Sequence, residues 1–166
     1  MQKRSISIFE TKILSQEEQI QYHKLHDSLT DIPNLALFKD RLGIELIHAK
    51  RNNKIFSLLV IGLDNMKQIN ELFGYKAGDS VLKETASRLM KSVWEIDSVA
   101  RLSGDNFIML APNCSSPDKA SVIANKLLSL FESAYQYEDK SINITGSIGI
   151  SIYPNDGNTI DELVNC

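Results

Sequence analysis

Residues 97–111 read DSVARLSGDNFIMLA, and this stretch decides how the chain folds. Two apolar runs of strand length stand on either side of a Ser-Gly-Asp-Asn tip at residues 103–106, a pattern typical of a β-hairpin. Such a tip can hold backbone N–H groups and one carboxylate, that of Asp105, against a phosphate or a metal. With Asn106 beside it, only one acid remains there, whereas two-metal or acid–base chemistry usually needs more.

The composition is that of one ordinary globular domain, because 166 residues can bury a sizeable core but are too few for two domains. A net charge of −3 predicts no nucleic-acid partner, since nucleic-acid surfaces usually carry a clustered basic excess. No apolar run approaches the roughly 20 residues of a membrane-spanning helix, and the N-terminus lacks a signal-peptide core. Cys114 and Cys166 share no metal-binding spacing and indicate a reducing compartment, so we expect a cytoplasmic protein.

Apolar spacing predicts alternating helices and strands along most of the chain. Ile55–Leu63 is a near-continuous apolar run, as expected of a strand that is buried on both faces. The predicted order of helix, strand, helix, hairpin, helix and strand indicates an α/β sandwich with a mixed sheet, of the ferredoxin-like or palm kind. The predicted elements are helix 35–51 capped by Asn34, strand 55–63, a helical turn over 64–74 stopped by Gly74, helix 78–93, hairpin 97–111, helix 118–134 and strand 142–152.

A mostly polar segment, residues 10–26, precedes these elements. Its thin apolar stripe consists of Ile13, Leu14, Ile20 and Leu25. A helix with so narrow a stripe is marginal alone and needs a neighbour to pack on. We therefore interpret residues 1–26 as an N-terminal connector helix and residues 27–166 as the folded domain.

Four segments, correctly ordered and spaced, resemble the GGDEF domain family, the diguanylate cyclases. Residues 27–34 (DSLTDIPN) resemble the family's Asp-x-Leu-Thr-x-Leu-x-Asn segment. Residues 63–79 (LDNMKQINELFGYKAGD) resemble its Asp-x-Asp-x-Phe-Lys-x-Ile-Asn-Asp-x-x-Gly-His-x-x-Gly-Asp segment. Residues 100–107 (ARLSGDNF) lie at the family's signature, and residues 145–151 (TGSIGIS) resemble its late strand.

The resemblance implies a nucleotidyl-cyclase fold, with a central, mostly antiparallel sheet flanked by helices and a catalytic-type β-hairpin. It also implies the condensation of two GTP molecules, held on two domains of a dimer, into cyclic di-GMP. Each domain orients one nucleotide with a divalent metal, because the attacking hydroxyl must be activated and the charge of the α-phosphate neutralised. GTP with Mg²⁺ is therefore the ligand that the resemblance implies.

The resemblance assigns nucleotide binding to Lys67, Asn70, Asp79 and Gly104. Asn70 and Asp79 match the guanine-reading residues, and a carboxylate with an amide suits the guanine edge, which presents N1–H and N2–H₂ donors and the N3 acceptor. Lys67 and Gly104 match positions near the phosphates, where a point charge and a bare backbone are useful. The other matches around the base pocket are the turn positions Gly74 and Gly78, and Tyr75 in place of the usual His.

The catalytic positions depart from the family pattern. Its first acidic metal ligand falls on Gly62, its first signature Gly is Ser103, and its signature Glu is Asn106, so Asp105 remains as a vestigial metal ligand. Losing charge-stabilising groups costs several kcal/mol of barrier, roughly 10²–10³ in rate for each donor. We therefore expect a catalytically inactive domain.

The family's inhibitory product site, Arg-x-x-Asp, falls on Trp94 and Asp97. Without the Arg, the bidentate contacts to phosphate and guanine are missing, so we expect no product feedback. Trp94 is then most simply interpreted as a packing residue after its helix.

Our main interpretation is a degenerate GGDEF domain that binds GTP and regulates a fused or neighbouring domain, either an EAL-type phosphodiesterase or a sensor, with a homodimer as a further expectation. The resemblance also implies that residues 27–166 lack the family's C-terminal helix and strand. Two alternatives stay open. One is a weak diguanylate cyclase in which Asp105 and Asp64 hold Mg²⁺, and the other is a dimerisation module that binds no nucleotide.

Overall fold

Strand β1 is the centre of a computed structural model that describes residues 16–165. Residues 16–25 are helical and form α1, while residues 1–15 of the predicted connector lie outside the described residues. The further helices are α2 (Leu35–Asn52), α3 (Met66–Phe73), α4 (Tyr75–Ser92), α5 (Pro117–Ser129) and α6 (Ile160–Val164). The strands are β1 (Phe56–Leu63), β2 (Ser98–Ser103), β3 (Asn106–Ala111), β4 (Tyr135–Tyr137), β5 (Lys140–Ile142) and β6 (Gly146–Tyr153).

The main sheet has the order β2-β3-β1-β6, and each neighbouring pair runs antiparallel. The predicted sheet of mostly antiparallel strands flanked by helices is thus confirmed, with these four strands antiparallel throughout. Because β1 lies between β3 and β6, its alternate residues enter opposite cores: Leu59 and Ile61 on one face, Phe56 and Leu58 on the other. The strand buried on both faces is confirmed as well.

Helices cover both faces of this sheet. Helices α3, α4 and α5 pack on one face, and α2 and α6 pack on the other through Phe38, Leu42 and Leu163. None of the helices formed by the described residues combines the length and the apolar character that crossing a bilayer requires. The antiparallel sheet between two helical layers leaves the loops at its ends free to form a site.

Several predicted boundaries need correction. Asn34 does cap α2, its side chain accepting from the Leu37 N–H, but α4 begins at Tyr75 and Gly78 therefore lies inside a helix rather than in a turn. Helix α5 ends at Ser129 instead of residue 134, and β4 and β5 form a small hairpin that the sequence did not reveal. Arg88 stabilises the chain where α5 ends, because its guanidinium donates to the backbone carbonyls of Leu130, Ser133 and Ala134.

Substitutions at two glycines of β6 test how tightly this strand packs against Phe131, which follows α5. A Cβ at Gly146 would lie 2.5 Å from the buried Phe131 ring, whereas a Cβ at Gly149 would meet open space. We expect Gly146→Ala to lower the free energy of unfolding by about 1–3 kcal/mol, the usual cost of overpacking. Gly149→Ala, on the same strand, should change it by less than about 0.5 kcal/mol. Urea denaturation of both variants checks this, and equal effects would contradict the packing described.

Candidate functional site

A cavity of about 410 Å³ opens between the N-terminal halves of α3 and α4 and the tip of the β2–β3 hairpin. Four residues that the sequence singled out line it, namely Lys67, Asn70, Gly104 and Asp105. The hairpin tip is tied to the end of β1, because the Leu63 N–H donates to the carbonyl oxygen of Asp105 at 3.1 Å. Segments far apart in sequence thus converge on one cavity.

The Asn70 side chain is positioned by the bare backbone of Gly78. A Cβ at Gly78 would lie 1.9 Å from the Asn70 Oδ1, so only glycine leaves room for the amide at this crossing of α3 and α4. The Asn70 amide makes no side-chain hydrogen bond to another described residue, and it faces a cavity. Its donors and its acceptor are therefore free for a ligand.

Asp79 differs from the other assigned residues. It is exposed on α4, next to Gly78, and does not line the cavity. The cavity wall contains instead Tyr75, whose side chain is 79% exposed at the start of α4, and Glu71. Glu71 was not assigned a role, although its position one turn after Lys67 on an amphipathic helix is a signal that it shares the same face.

The cationic groups of the cavity already have partners. The Lys67 Nζ lies 3.9 Å from a Glu71 carboxylate oxygen. The Arg101 guanidinium donates to the carbonyl oxygen of Gly104 from Nε at 3.1 Å and from Nη2 at 2.7 Å. Its Nη1 donates to Asp27 Oδ2 at 3.0 Å, so Arg101 holds the hairpin tip against the loop that leads into α2.

Arg101 is a functional residue that sequence reasoning missed. It lines the cavity and its side chain is only 15% exposed, yet its partner Asp27 lies in a segment remote in sequence. The opposite charges of Asp27 and Arg101 were the only available signal, and pairing over so long a separation cannot be read from spacing. Asp27 also accepts from the N–H and the hydroxyl of Thr30, at 2.9 and 2.7 Å.

The donor set at the hairpin does not fit the metal ions that the family resemblance implies. In the register of β1 and β3, Gly62 stands directly opposite Asn106, so one position has no side chain and the other has a neutral amide. Asp105 is the remaining carboxylate, whereas a two-metal site needs several charged oxygens. Among residues 16–165, no group of three or more His, Cys, Asp or Glu side chains is arranged to hold a metal.

Asp64 does not supply the missing carboxylate. Its two oxygens accept from the hydroxyls of Thr145 and Ser147, at 2.7 and 2.9 Å, and its N–H donates to the Thr145 carbonyl. It lines a separate groove between α3 and β5, rather than the cavity that contains Asp105. Asp64 thus ties the end of β1 to β6.

The predicted packing role of Trp94 is wrong, because its side chain is 76% exposed. Trp94 and Asp97 line a second, larger groove of about 630 Å³ with Ile96, Val122 and Ile123. The backbone N–H of Trp94 donates to Asp97 Oδ2 at 3.0 Å. Partial burial raises the pKa of the Asp97 carboxyl. At the two positions matched to the family's product site, the structure therefore has an indole and one half-buried carboxylate.

An antiparallel palm sheet between helical layers, with a cavity at a hairpin tip, defines a domain of the nucleotidyl-cyclase class. Residues 24–166 match the family model described as diguanylate cyclase, GGDEF domain. The chain belongs to the GGDEF domain family.

Several known proteins that resemble the chain are described as diguanylate cyclases or cyclic di-GMP phosphodiesterases. It is 35% identical over 158 residues to the bifunctional diguanylate cyclase/cyclic di-GMP phosphodiesterase MucR of Pseudomonas aeruginosa, covering 95% of this chain but 23% of MucR. The solved GGDEF domain of TpbB from the same organism superimposes with a TM-score of 0.81 at 35% identity, covering 84% of this chain and 82% of that one. An EAL/GGDEF domain protein from M. capsulatus gives a TM-score of 0.65 at 34% identity, with 80% and 86% covered.

The Asp27–Arg101 pair predicts a pH dependence. Partial burial alone would raise the pKa of Asp27, but the hydrogen bonds from Thr30 and the charge of Arg101 outweigh it and lower the pKa. Such a lowered pKa stabilises the fold above the ordinary Asp value of about 3.9, and that stabilisation is lost as the pH falls further. Asp27→Asn should lower the free energy of unfolding by about 1–3 kcal/mol at pH 7. As the pH falls from about 5 to 2, the free energy of unfolding should decrease less in this variant than in wild type.

Urea denaturation across this pH range measures the effect. Asp40→Asn is the control, because Asp40 is exposed on α2 and makes no ion pair with another described residue. Parallel pH profiles for wild type and Asp27→Asn would contradict a stabilising role for the pair.

Proposed function

We propose that this chain is a GGDEF domain that does not cyclise GTP and that instead binds guanine nucleotide as a regulatory module of a cyclic di-GMP signalling protein. The observation that carries the proposal is the pairing of Gly62 with Asn106 across β1 and β3. These are two of the three positions at which the family resemblance places acids, and neither residue can hold a charge. The Asn106 amide lies 3.4 Å from Asp105 Oδ1, so it takes the place of a second carboxylate beside the first.

Retention of the guanine-reading elements supports nucleotide binding. Asn70 has its amide free at the cavity wall, and Gly78 keeps the close approach that positions it. A cavity of about 410 Å³ falls in the usual size range of small-molecule sites. Asp79 is exposed and adjoins Gly78 in sequence, although it does not line the cavity itself.

The relatives supply the candidate for what the module regulates. MucR is a bifunctional cyclase and phosphodiesterase, the M. capsulatus protein is an EAL/GGDEF protein, and the chain spans 23% of MucR. An EAL-type phosphodiesterase domain in the same cytoplasmic polypeptide is therefore the proposed target. Regulation requires that the nucleotide bind one domain arrangement more tightly than another, because a ligand with equal affinity for both does not shift the equilibrium between them.

One observation favours a second candidate, a weakly active diguanylate cyclase. The hairpin tip keeps its shape, with Gly104 at φ 51° and Asp105 on the cavity wall. A tip with this shape still presents backbone N–H groups and one carboxylate to a phosphate.

Product formation separates the two candidates. We expect no cyclic di-GMP above a no-protein blank when the chain is incubated at high concentration with GTP and Mg²⁺ and the products are separated by chromatography. At roughly 10²–10³ in rate for each lost charge-stabilising group, the expected loss from two missing carboxylates is roughly 10⁴ or more. Asp105→Ala is the matched control: product from wild type that disappears in this variant would establish the second candidate and contradict the first.

Guanine selectivity tests the binding half of the proposal. We expect GTP to bind and ATP not to bind in calorimetric titrations, and Asn70→Ala to weaken GTP binding about tenfold, the effect of about 1.4 kcal/mol. Gly78→Ala should act the same way by displacing the Asn70 amide, even though alanine favours a helix by up to about 1 kcal/mol.

Gln68→Ala provides the control for both variants. Gln68 is exposed on the same helix but lines the separate groove beside β5, so its loss should leave the affinity unchanged. Equal affinity for GTP and ATP, or no effect of Asn70→Ala, would show that the cavity is not a guanine site.

A further inference from the structure

The groups that line the cavity fall into two sets by their chemistry. The Asn70 amide and the exposed Tyr75 ring present hydrogen-bonding groups and an aromatic face, both suited to a base. Lys67, Arg101 and the hairpin tip are the groups available to phosphates. We call these two sets the base end and the phosphate end, after the part of a nucleotide that each suits. The base end is free of internal partners among the described residues, whereas the phosphate end is not.

The cations at the phosphate end are balanced by nearby anions. Four charged side chains line the cavity in the described part of the chain, the cationic Lys67 and Arg101 and the anionic Glu71 and Asp105. Arg101 is committed to Asp27 and the Gly104 carbonyl, and Lys67 lies 3.9 Å from Glu71. A triphosphate would therefore meet a surface with no net positive charge, so Coulomb attraction adds little to its affinity.

A divalent ion cannot supply the missing charge at this site in the usual way. Mg²⁺ binds nucleotides through carboxylates together with phosphates, and of the three positions at which the family resemblance places acids only Asp105 has a carboxylate. Its neighbour Asn106 is neutral, and Gly62 opposite Asn106 has no side chain. Added phosphates thus bring negative charge that neither the described residues lining the cavity nor a well-held metal offsets.

We infer that the cavity binds guanine nucleotides by the base, without a requirement for Mg²⁺ and with little dependence on the number of phosphates. This inference rests on the proposed guanine-nucleotide binding and states what the site responds to. A site of this kind reports the total concentration of guanine nucleotides rather than the concentration of GTP. That differs from a site built for catalysis, which must hold the triphosphate and its metal in a fixed geometry.

Calorimetric titration of the chain with GMP, GDP and GTP, each in Mg²⁺ and in EDTA, tests the inference. We expect dissociation constants within about threefold of one another in all of these titrations, and no binding of AMP. GTP binding that exceeds GMP binding by about tenfold or more, or binding that disappears in EDTA, would overturn the inference while leaving the proposed guanine binding intact. Failure of all three nucleotides to bind would overturn both.

A variant with acids at positions 62 and 106 should show the opposite behaviour, a dependence of GTP binding on Mg²⁺. Gly62→Asp and Asn106→Glu are introduced together, because a Cβ at Gly62 would lie 3.0 Å from the Asn106 Oδ1 and the two positions must change as a pair. This variant should bind GTP at least about tenfold more tightly in Mg²⁺ than in EDTA, with circular dichroism confirming its fold. GMP affinity should stay within about threefold of wild type, and an equal gain for GMP would contradict separate base and phosphate ends.

Discussion

The antiparallel pairing of β1 with β3 places the strand-end and hairpin-tip groups of the candidate site. Strand β1 is buried on both faces, so a shift of its pairing register by one residue would move each side chain to the opposite face of the sheet. Leu59 and Ile61 would then leave one core, and Phe56 and Leu58 would leave the other. The register is therefore fixed by burial, and it sets Gly62 opposite Asn106. It also carries Leu63 to the carbonyl of Asp105, which holds the hairpin tip beside the start of α3.

A second constraint joins the site to the segment that precedes the sheet. Arg101 spans from the Gly104 carbonyl at the tip to Asp27, and its own N–H donates to the Pro33 carbonyl. A displacement of the loop after α1 must therefore either carry the hairpin tip along or break a half-buried ion pair. This contact physically links the hairpin tip at the cavity to the segment that follows α1.

The sequence predicts the parts of the fold that depend on local pattern. The central strand, the hairpin and the Asn34 cap follow from apolar runs and turn chemistry, and the structure confirms them. The β4–β5 hairpin was missed because its strands have three residues each and because α5 is ended by Arg88, a residue of another helix. Such tertiary capping leaves no mark in the local sequence.

The residues of the candidate site also divide into those that the sequence predicted and those that only the structure revealed. Lys67, Asn70, Gly104 and Asp105 were found from motif spacing, and the structure brings them to one cavity. The exposure of Trp94, the commitment of Asp64 to Thr145 and Ser147, and the role of Arg101 depend on contacts between remote segments. Gly78 was noticed as a motif glycine, but its function, to make room for the Asn70 amide, is visible only where two helices cross.

The proposed function depends most on recognition of a guanine base at Asn70 without help from a metal-bound triphosphate. A titration of the isotope-labelled chain with GMP in EDTA, followed in its two-dimensional amide NMR spectrum, tests this recognition. We expect the largest shift changes at Asn70 and its neighbours from Gly74 to Asp79, with small changes at Gly104 and Asp105. Changes confined to the hairpin tip, or changes that appear only with GTP and Mg²⁺, would contradict it.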